Sequence, residues 1–225
     1  MNPTQLEELQ TRGFVLCQRA IPEACLETVR IALHEGTGGR PGNRAALNHE
    51  RIRAFVRSTE FRALVEPVLG TSCFAVRAIL FDKSSLSNWN VPPHQDLAVT
   101  VRHRLDVPGF GPWSRKEGIH HALAPSSVLE HMLAVRIHID PAGPEQGALR
   151  LVPATHVRRL TEREMGHVSV AHEVTCSAEP GDALVMRPLV VHSSSKMRTR
   201  ARRRVLHVEL AARDLPGGLQ WHDRV

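Results

Sequence analysis

A mainly β fold on N-terminal scaffold helices, closing as an antiparallel double-sheet jelly roll, is the class that the order of elements predicts. Three observations carry it. The helical apolar repeat is confined to the first third of the chain, short apolar runs divided by Gly, Pro or polar turns fill the rest, and no helical crossover recurs between those runs. At 225 residues the chain suits one domain with a full core. Residues 1–225 are read as that domain, with a mostly helical opening at 1–72 and a jelly-roll core at 73–215.

Residues 3–10 carry a capping residue and apolar positions three apart, which predicts a short first helix, and 13–17 read as a strand. In 22–33 the apolar residues at 25, 26, 29, 32 and 33 follow the helical repeat, and 58–70 read as another helix stopped by glycine. The Gly/Pro/Asn stretch 36–43 between them reads as a loop. Strands are then predicted at 73–81, 95–101, 132–139, 148–152, 168–174, 183–186 and 205–210, with turns at 143–147 and 180–182. The segment 102–131 has weak periodicity and several Gly and Pro, so it reads as a long insertion over the site and not as barrel wall.

Composition narrows the function. Cys17, Cys25, Cys73 and Cys176 are scattered without paired metal spacing and no apolar signal segment opens the chain, so a reduced, cytoplasmic protein is expected. No uninterrupted apolar stretch approaches the roughly 20 residues needed to cross a bilayer, and no membrane partner is expected. The net charge of +6 owes much to arginine, but no aromatic-interleaved basic motif specifies nucleic acid. An anionic small substrate fits that charge equally well.

His94 and Asp96 lie two residues apart where a Pro-Pro break passes into a β-branched run, so on a strand they share one face and can bind one ion. His192, at the end of a second β-branched run and ahead of three serines, is the best source of a third ligand. Two histidines and one carboxylate with open positions is the arrangement of non-haem Fe(II) oxygenases. Among 14 histidines chance pairs arise, and His138 and Asp140 form a second one, read as structural because it ends in a turn at Pro141. Arg136 alternates with Ala134, His138 and Asp140, so it is a candidate to face the cavity and bind an anion, or to pair with Asp140. Arg203 shares a face with Val205, His207 and Glu209, and Arg204 shares the other with Leu206, Val208 and Leu210; periodicity leaves open which face is inward.

Taken together, His94, Asp96, His192 and an arginine eleven residues beyond it, Arg203, resemble the phytanoyl-CoA dioxygenase family of Fe(II)- and 2-oxoglutarate-dependent oxygenases, over nearly the whole chain. Residues 146–149 and 152–156 look like that family's "NGxL…PGSH" hairpin. The resemblance implies a cupin-like double-stranded β-helix in which His94, Asp96 and His192 bind Fe(II). It also implies that Arg203, helped by Ser194, holds the distal carboxylate of 2-oxoglutarate through its planar fork, with Arg204 as the alternative anchor. Lys83 is a weaker cosubstrate candidate, while Arg136, Trp113 and Gln95 are candidates to touch substrate. The implied reaction uses O2 to hydroxylate a small molecule with release of succinate and CO2. Related halogenases replace the carboxylate by a small residue, so Asp96 argues for hydroxylation or desaturation. Two other readings stay open: a non-catalytic cupin-like metal or ligand-binding protein, and a nucleic-acid binder using the arginine run 198–204, which predicts salt-dependent affinity.

Overall fold

The helices lie mostly in the first third of the chain. In the computed structural model, which describes residues 1–36, 42–168 and 170–225, they are α1 (Pro3–Arg12), α2 (Glu23–Gly36), α3 (Glu50–Val56), α4 (Thr59–Arg62), α5 (Glu66–Leu69), α6 (Ser126–Leu129) and α7 (Glu162–Met165). Most of the predicted loop at 36–43 lies outside the described residues. Asn2 caps α1 by accepting from the Gln5 backbone N–H, while the Gln5 side chain returns to the Asn2 N–H. Helix α2 buries Leu26, Val29, Ala32 and Leu33, the face its periodicity predicts. The helix predicted at 58–70 forms in two pieces, α4 and α5. Pro67 explains the break, since it has no N–H for the carbonyl four residues back and its ring crowds that turn; it is accommodated only in the first turn of α5. Among the described residues no helix is long and apolar enough to cross a membrane.

The strands are β1 (Phe14–Cys17), β2 (Gly42–Asn43), β3 (Phe74–Lys83), β4 (Val91–His94), β5 (Ala98–Val101), β6 (Trp113–Lys116), β7 (Ile119–Leu123), β8 (Met132–His138), β9 (Leu149–Val152), β10 (Val174–Cys176), β11 (Ala183–Met186), β12 (Val191–Ser194) and β13 (Arg203–Ala211). They form antiparallel sheets in the orders β1-β11-β8-β13-β3-β2, β10-β9-β12-β4 and β5-β7-β6. One face of the large sheet packs on the helices: Ala78 and Leu80, Leu133, Val135 and Ile137, and Leu206, Val208 and Leu210 join Leu9, Leu26, Val29 and Phe61 in one core. Each such fully buried aliphatic side chain contributes roughly 1.5–3 kcal/mol. The opposite face meets the four-stranded sheet, where Phe14, Ala134, Leu149, Leu151, Leu184 and Met186 close a second, smaller core. Between these sheets lies the site.

Three further predicted elements differ from what forms. Of the strand expected at 95–101 only β5, from Ala98, forms; β4 ends before it at His94 and belongs to another sheet. Strand β4 contains Pro92 and Pro93 and sits at a sheet edge, and its ladder with β12 is interrupted by a register shift between Val91 and His94, which tolerates residues without an N–H. The strand expected at 168–174 is instead a short 3₁₀ turn over Val170–His172 followed by β10, which takes its register from Leu149–Leu151 of β9; Ser169 lies outside the described residues. The insertion read at 102–131 contains β6, β7 and α6. Its hairpin turns on Glu117 and Gly118, both at positive φ (52° and 84°), with Lys116 opposite Ile119, the primed two-residue turn that matches strand twist.

The alternation left open at Arg203 and Arg204 is decided by the sheet. Arg204 points outward and grips Asp140 with two guanidinium contacts of 2.8 and 2.7 Å, while its backbone N–H donates to the same carboxylate at 2.8 Å. Arg203 points inward. Asp140 therefore pairs with Arg204 and not with Arg136, and Arg202 pairs with Asp82 at 2.6 and 2.9 Å. Of the run 198–204, Arg202 and Arg204 are paired with acids and Arg203 is buried, while Arg198 and Arg200 remain exposed. Asp140→Ala should lower unfolding free energy by about 2 kcal/mol in a denaturant titration, because it strands a half-buried guanidinium and a backbone donor; metal uptake should be unchanged.

Candidate metal centre

His192 in β12 stands directly opposite His94 in β4, and their ring centroids are 4.2 Å apart. Each ring is oriented by its own strand: the Nδ1 of His94 meets the Pro92 carbonyl and that of His192 meets the Val190 carbonyl, both at 2.9 Å. A carbonyl can only accept, so Nδ1 carries the proton and Nε2 presents its lone pair. Both Nε2 atoms face Asp96, at 3.6 Å from Oδ1 and Oδ2 respectively. Asp96 is not on a strand face as the spacing argument supposed; it lies just past β4, where its N–H donates to the Pro188 carbonyl. One ligand atom from each side chain falls within 4.8 Å of the others, and among the described residues this is the one such group of three.

Burial pushes the His192 imidazole down to about 4, against the pull of the Asp96 charge, so this ring is neutral near pH 7. For His94 burial acts the same way, but the Asp96 hydrogen bond and charge prevail and its pKa is raised. Burial would raise the Asp96 carboxyl, yet the facing histidines hold it well below the usual carboxylate range. Two nitrogen donors and an ionised carboxylate converging on one point fit a divalent metal with open positions.

The triad forms one end of a cavity of about 290 Å³ whose other wall is the inner face of the large sheet. There Arg203 stands opposite Lys83 across β13 and β3. Arg203 donates to the Gly147 carbonyl at 2.5 Å, and its buried Nε has no partner. Gly147 is in the left-handed region (φ 64°), and a Cβ there would lie 2.4 Å from the Ser195 carbonyl oxygen, so only glycine lets this turn approach β12 and the arginine. Lys83 donates to Ser194 Oγ at 3.2 Å and to the Ser195 carbonyl at 3.0 Å, with Trp89 beneath its ammonium at 5.0 Å. Burial, then the charges of Arg203 and Arg136, push Lys83 down to about 7. Among the described residues no carboxylate lies within ion-pair distance of Lys83, Arg136 or Arg203. The cradle of Arg203, Lys83 and Ser194 thus fits a dianionic ligand reaching from the metal. Lys83 was only weakly legible before, because its partner across the sheet is 120 residues away in sequence.

Arg136 also lines this cavity, as the alternation allowed. Gln95 and Trp113 do not. Gln95 donates to the carbonyls of Leu189 (2.6 Å) and Arg158 (2.9 Å) and accepts from the Leu160 N–H (2.8 Å), so its amide holds the chain behind the triad. Trp113 packs into a separate apolar cluster with Val99, Leu129 and Trp221, and Arg104 lies over its ring at 5.7 Å. His138 is buried apart from the triad, with both ring nitrogens unpartnered and burial pushing it down to about 3; its neighbour Asp140 is taken by Arg204. Unforeseen was an outer cavity of about 640 Å³, lined by Arg44, Ile79, Phe81, Leu86, Trp89 and Glu117 among others. It shares Arg44, Ile79, Phe81 and Trp89 with the inner one, and the hairpin tip reaches both, Lys116 inward and Glu117 outward.

Solved structures with this arrangement of sheets are similar over almost the whole chain. The 2-oxoglutarate-dependent carbocyclase SnoK from nogalamycin biosynthesis is 15% identical, with a TM-score of 0.71 over 94% of this chain and 84% of its own. AviO1 from Streptomyces viridochromogenes is 16% identical, with a TM-score of 0.70 over 96% and 97%. HygX from Streptomyces hygroscopicus, solved with nickel, 2-oxoglutarate and hygromycin B bound, is 15% identical, with a TM-score of 0.64 over 100% and 98%. At such identities the likeness establishes the fold, the cupin-like jelly roll. No curated protein sequence gives a significant match. The phytanoyl-CoA dioxygenase (PhyH) family matches residues 3–205. With nearly the whole chain matched, the protein belongs to the phytanoyl-CoA dioxygenase family of non-haem iron, 2-oxoglutarate-dependent enzymes.

Proposed function

We propose that His94, Asp96 and His192 hold Fe(II), that Arg203 with Lys83 and Ser194 holds the distal carboxylate of 2-oxoglutarate, and that the enzyme hydroxylates a small molecule with release of succinate and CO2. The observation that carries this reading is one cavity with two imidazole nitrogens and a carboxylate at one end and unpaired buried cations at the other. Iron with 2-oxoglutarate supplies the oxidising chemistry by coupling decarboxylation of the cosubstrate to oxygen transfer. The chain's residues set the geometry. The backbone carbonyls of Pro92 and Val190 fix the imidazole tautomers, and Asp96 occupies the position that halogenases leave open for halide. Arg203 offers a planar fork to a carboxylate, and Lys83 a point charge beside it.

The substrate's place is the outer cavity, whose Ile79, Phe81, Leu86 and Trp89 suit a molecule with an apolar body, beside an Arg44 that is paired with Glu117 at 3.5 Å. Similar structures hold nogalamycin RO or hygromycin B, which supports a small-molecule substrate here. Four cysteines without disulfides support a reducing, cytoplasmic setting.

His94→Ala should abolish iron uptake and the weak visible charge-transfer band formed anaerobically with 2-oxoglutarate, whereas His138→Ala should retain both; the reverse pattern would move the ligands to the second His/Asp pair. Arg203→Ala should weaken 2-oxoglutarate binding roughly 30- to 100-fold, the value of a buried charge-assisted pair, with iron affinity intact, and Arg204→Ala should leave both unchanged in the same titrations. Cosubstrate affinity should also depend on pH through Lys83. Below about pH 7 its ammonium is already protonated, so binding takes up no proton; above that, binding the dianion must reprotonate it, and affinity should fall by up to about tenfold per pH unit. Lys83→Met should flatten that slope, measured as the dissociation constant between pH 6.5 and 8.5.

A further inference from the structure

Arg136 is the buried cation that the proposed function does not use. It sits in the interior of β8, every residue of which is buried, opposite Leu184 on one side and His207 on the other. Its guanidinium lies over the Phe81 ring at 5.3 Å, and one terminal nitrogen contacts His207 Nδ1 at 3.3 Å. A guanidinium only donates, so Nδ1 accepts and the His207 proton is on Nε2, 3.5 Å from Glu209 Oε1. That carboxylate is in turn held by Arg77 at 3.1 Å. The series Arg77, Glu209, His207, Arg136 thus fixes the guanidinium plane, and its one acid is already taken up by Arg77.

What remains is a cation with no acid in contact among the described residues, the Asp96 charge acting on it only from beyond ion-pair distance. Arg136 lines the same cavity as the triad, its Nε is buried with no hydrogen-bond partner, and among the described residues no carboxylate lies within 4 Å of it. Leaving a guanidinium in that state costs several kcal/mol, and it cannot escape by losing its proton as a lysine can. Arg203 and Lys83 face each other across β13 and β3, whereas Arg136 is on β8, beside the His207 that stands between it and Glu209. A cavity with a separate, pre-oriented and unpaired guanidinium next to a metal triad is built for a second anionic group.

We propose that Arg136 forms a second anion site beside the triad, donating to a pair of anionic oxygens of a bound ligand, with His207 and Phe81 as its positioning residues. This rests on the reading of the cavity as an iron and 2-oxoglutarate site. The oxygens belong either to the metal-side carboxylate of 2-oxoglutarate or to an acidic group of the substrate; both are the same chemistry to a guanidinium.

Nickel-loaded protein, which binds without turning over, separates the sources by calorimetry with three probes: 2-oxoglutarate, oxalate, and inorganic phosphate added to the 2-oxoglutarate complex. Oxalate can chelate the metal but has no distal carboxylate for Arg203. If the site takes the metal-side carboxylate, Arg136→Gln should weaken both 2-oxoglutarate and oxalate at least tenfold, while Arg203→Gln weakens 2-oxoglutarate alone. If it takes a substrate anion, Arg136→Gln should leave those two unchanged and abolish phosphate binding. Arg136→Lys, which keeps the charge, should recover part of either effect and guards against a folding defect. Binding of all three probes within twofold of wild type in Arg136→Gln would overturn the proposal. Failure of the underlying reading looks different, because wild-type protein would then take up no nickel or no 2-oxoglutarate; phosphate titration of metal-free protein would still test Arg136, and unchanged phosphate binding in Arg136→Gln would count against it.

Discussion

The period-two alternation of the large sheet's central strands is the constraint from which the rest of the molecule follows. Strands β3, β8 and β13 are neighbours, and on each of them one set of side chains faces the helices and the other faces the gap between sheets. The helix-facing set supplies Ala78 and Leu80, Leu133, Val135 and Ile137, Leu206, Val208 and Leu210 to the larger core. Hydrophobic burial on that side stabilises the sheet enough to tolerate Lys83, Arg136, His138, Arg203 and His207 on the other, all nearly inaccessible to solvent. A one-residue slip in β13 would exchange Arg203 for Arg204 and put a leucine row into the cavity. Register and site are therefore the same fact.

The metal end of the cavity obeys a different rule. The four-stranded sheet that carries it is short, and β4 is its edge strand, with two consecutive prolines. Successive N–H groups of a strand point to opposite sides, so the two prolines are accepted where the ladder with β12 is bulged between Val91 and His94; the strand ends at His94, and the chain turns there to bring Asp96 back toward both histidines. Gln95, buried between the two ligands, secures that turn by bonding the backbone at 158, 160 and 189. The carboxylate is thus placed by a loop that its own neighbour anchors, opposite a histidine held by the interior strand β12. Rigid strand on one side and braced loop on the other bring three donors to one point without a metal having to gather them.

Much of this was legible from residue order. The helical repeat of α2, the short β-branched runs and the absence of crossovers specify local structure through side-chain period alone, and those elements formed. His94, Asp96 and His192 were readable because metal chemistry needs particular donor types, and the eleven-residue interval to Arg203 added what periodicity could not. What failed was local too. Pro67 split a helix, the prolines of β4 moved a strand boundary, and the Glu117–Gly118 turn concealed a hairpin in a segment with little apolar alternation.

The sequence by itself determined which residue types were present to make a metal site and an anion anchor, and that the chain would build helices first and antiparallel strands after. Only the tertiary structure decided which of two His/Asp pairs faces a third ligand, that Arg203 turns inward while Arg204 closes on Asp140, and that Gln95 and Trp113 have structural tasks. The reason is physical. Donor chemistry and side-chain period are properties of short segments, whereas the face a residue presents is set by which distant strand pairs with its own. Lys83, Arg136 and Arg203 come from three strands far apart in sequence, and they become one cationic wall only when β13 is laid between β3 and β8.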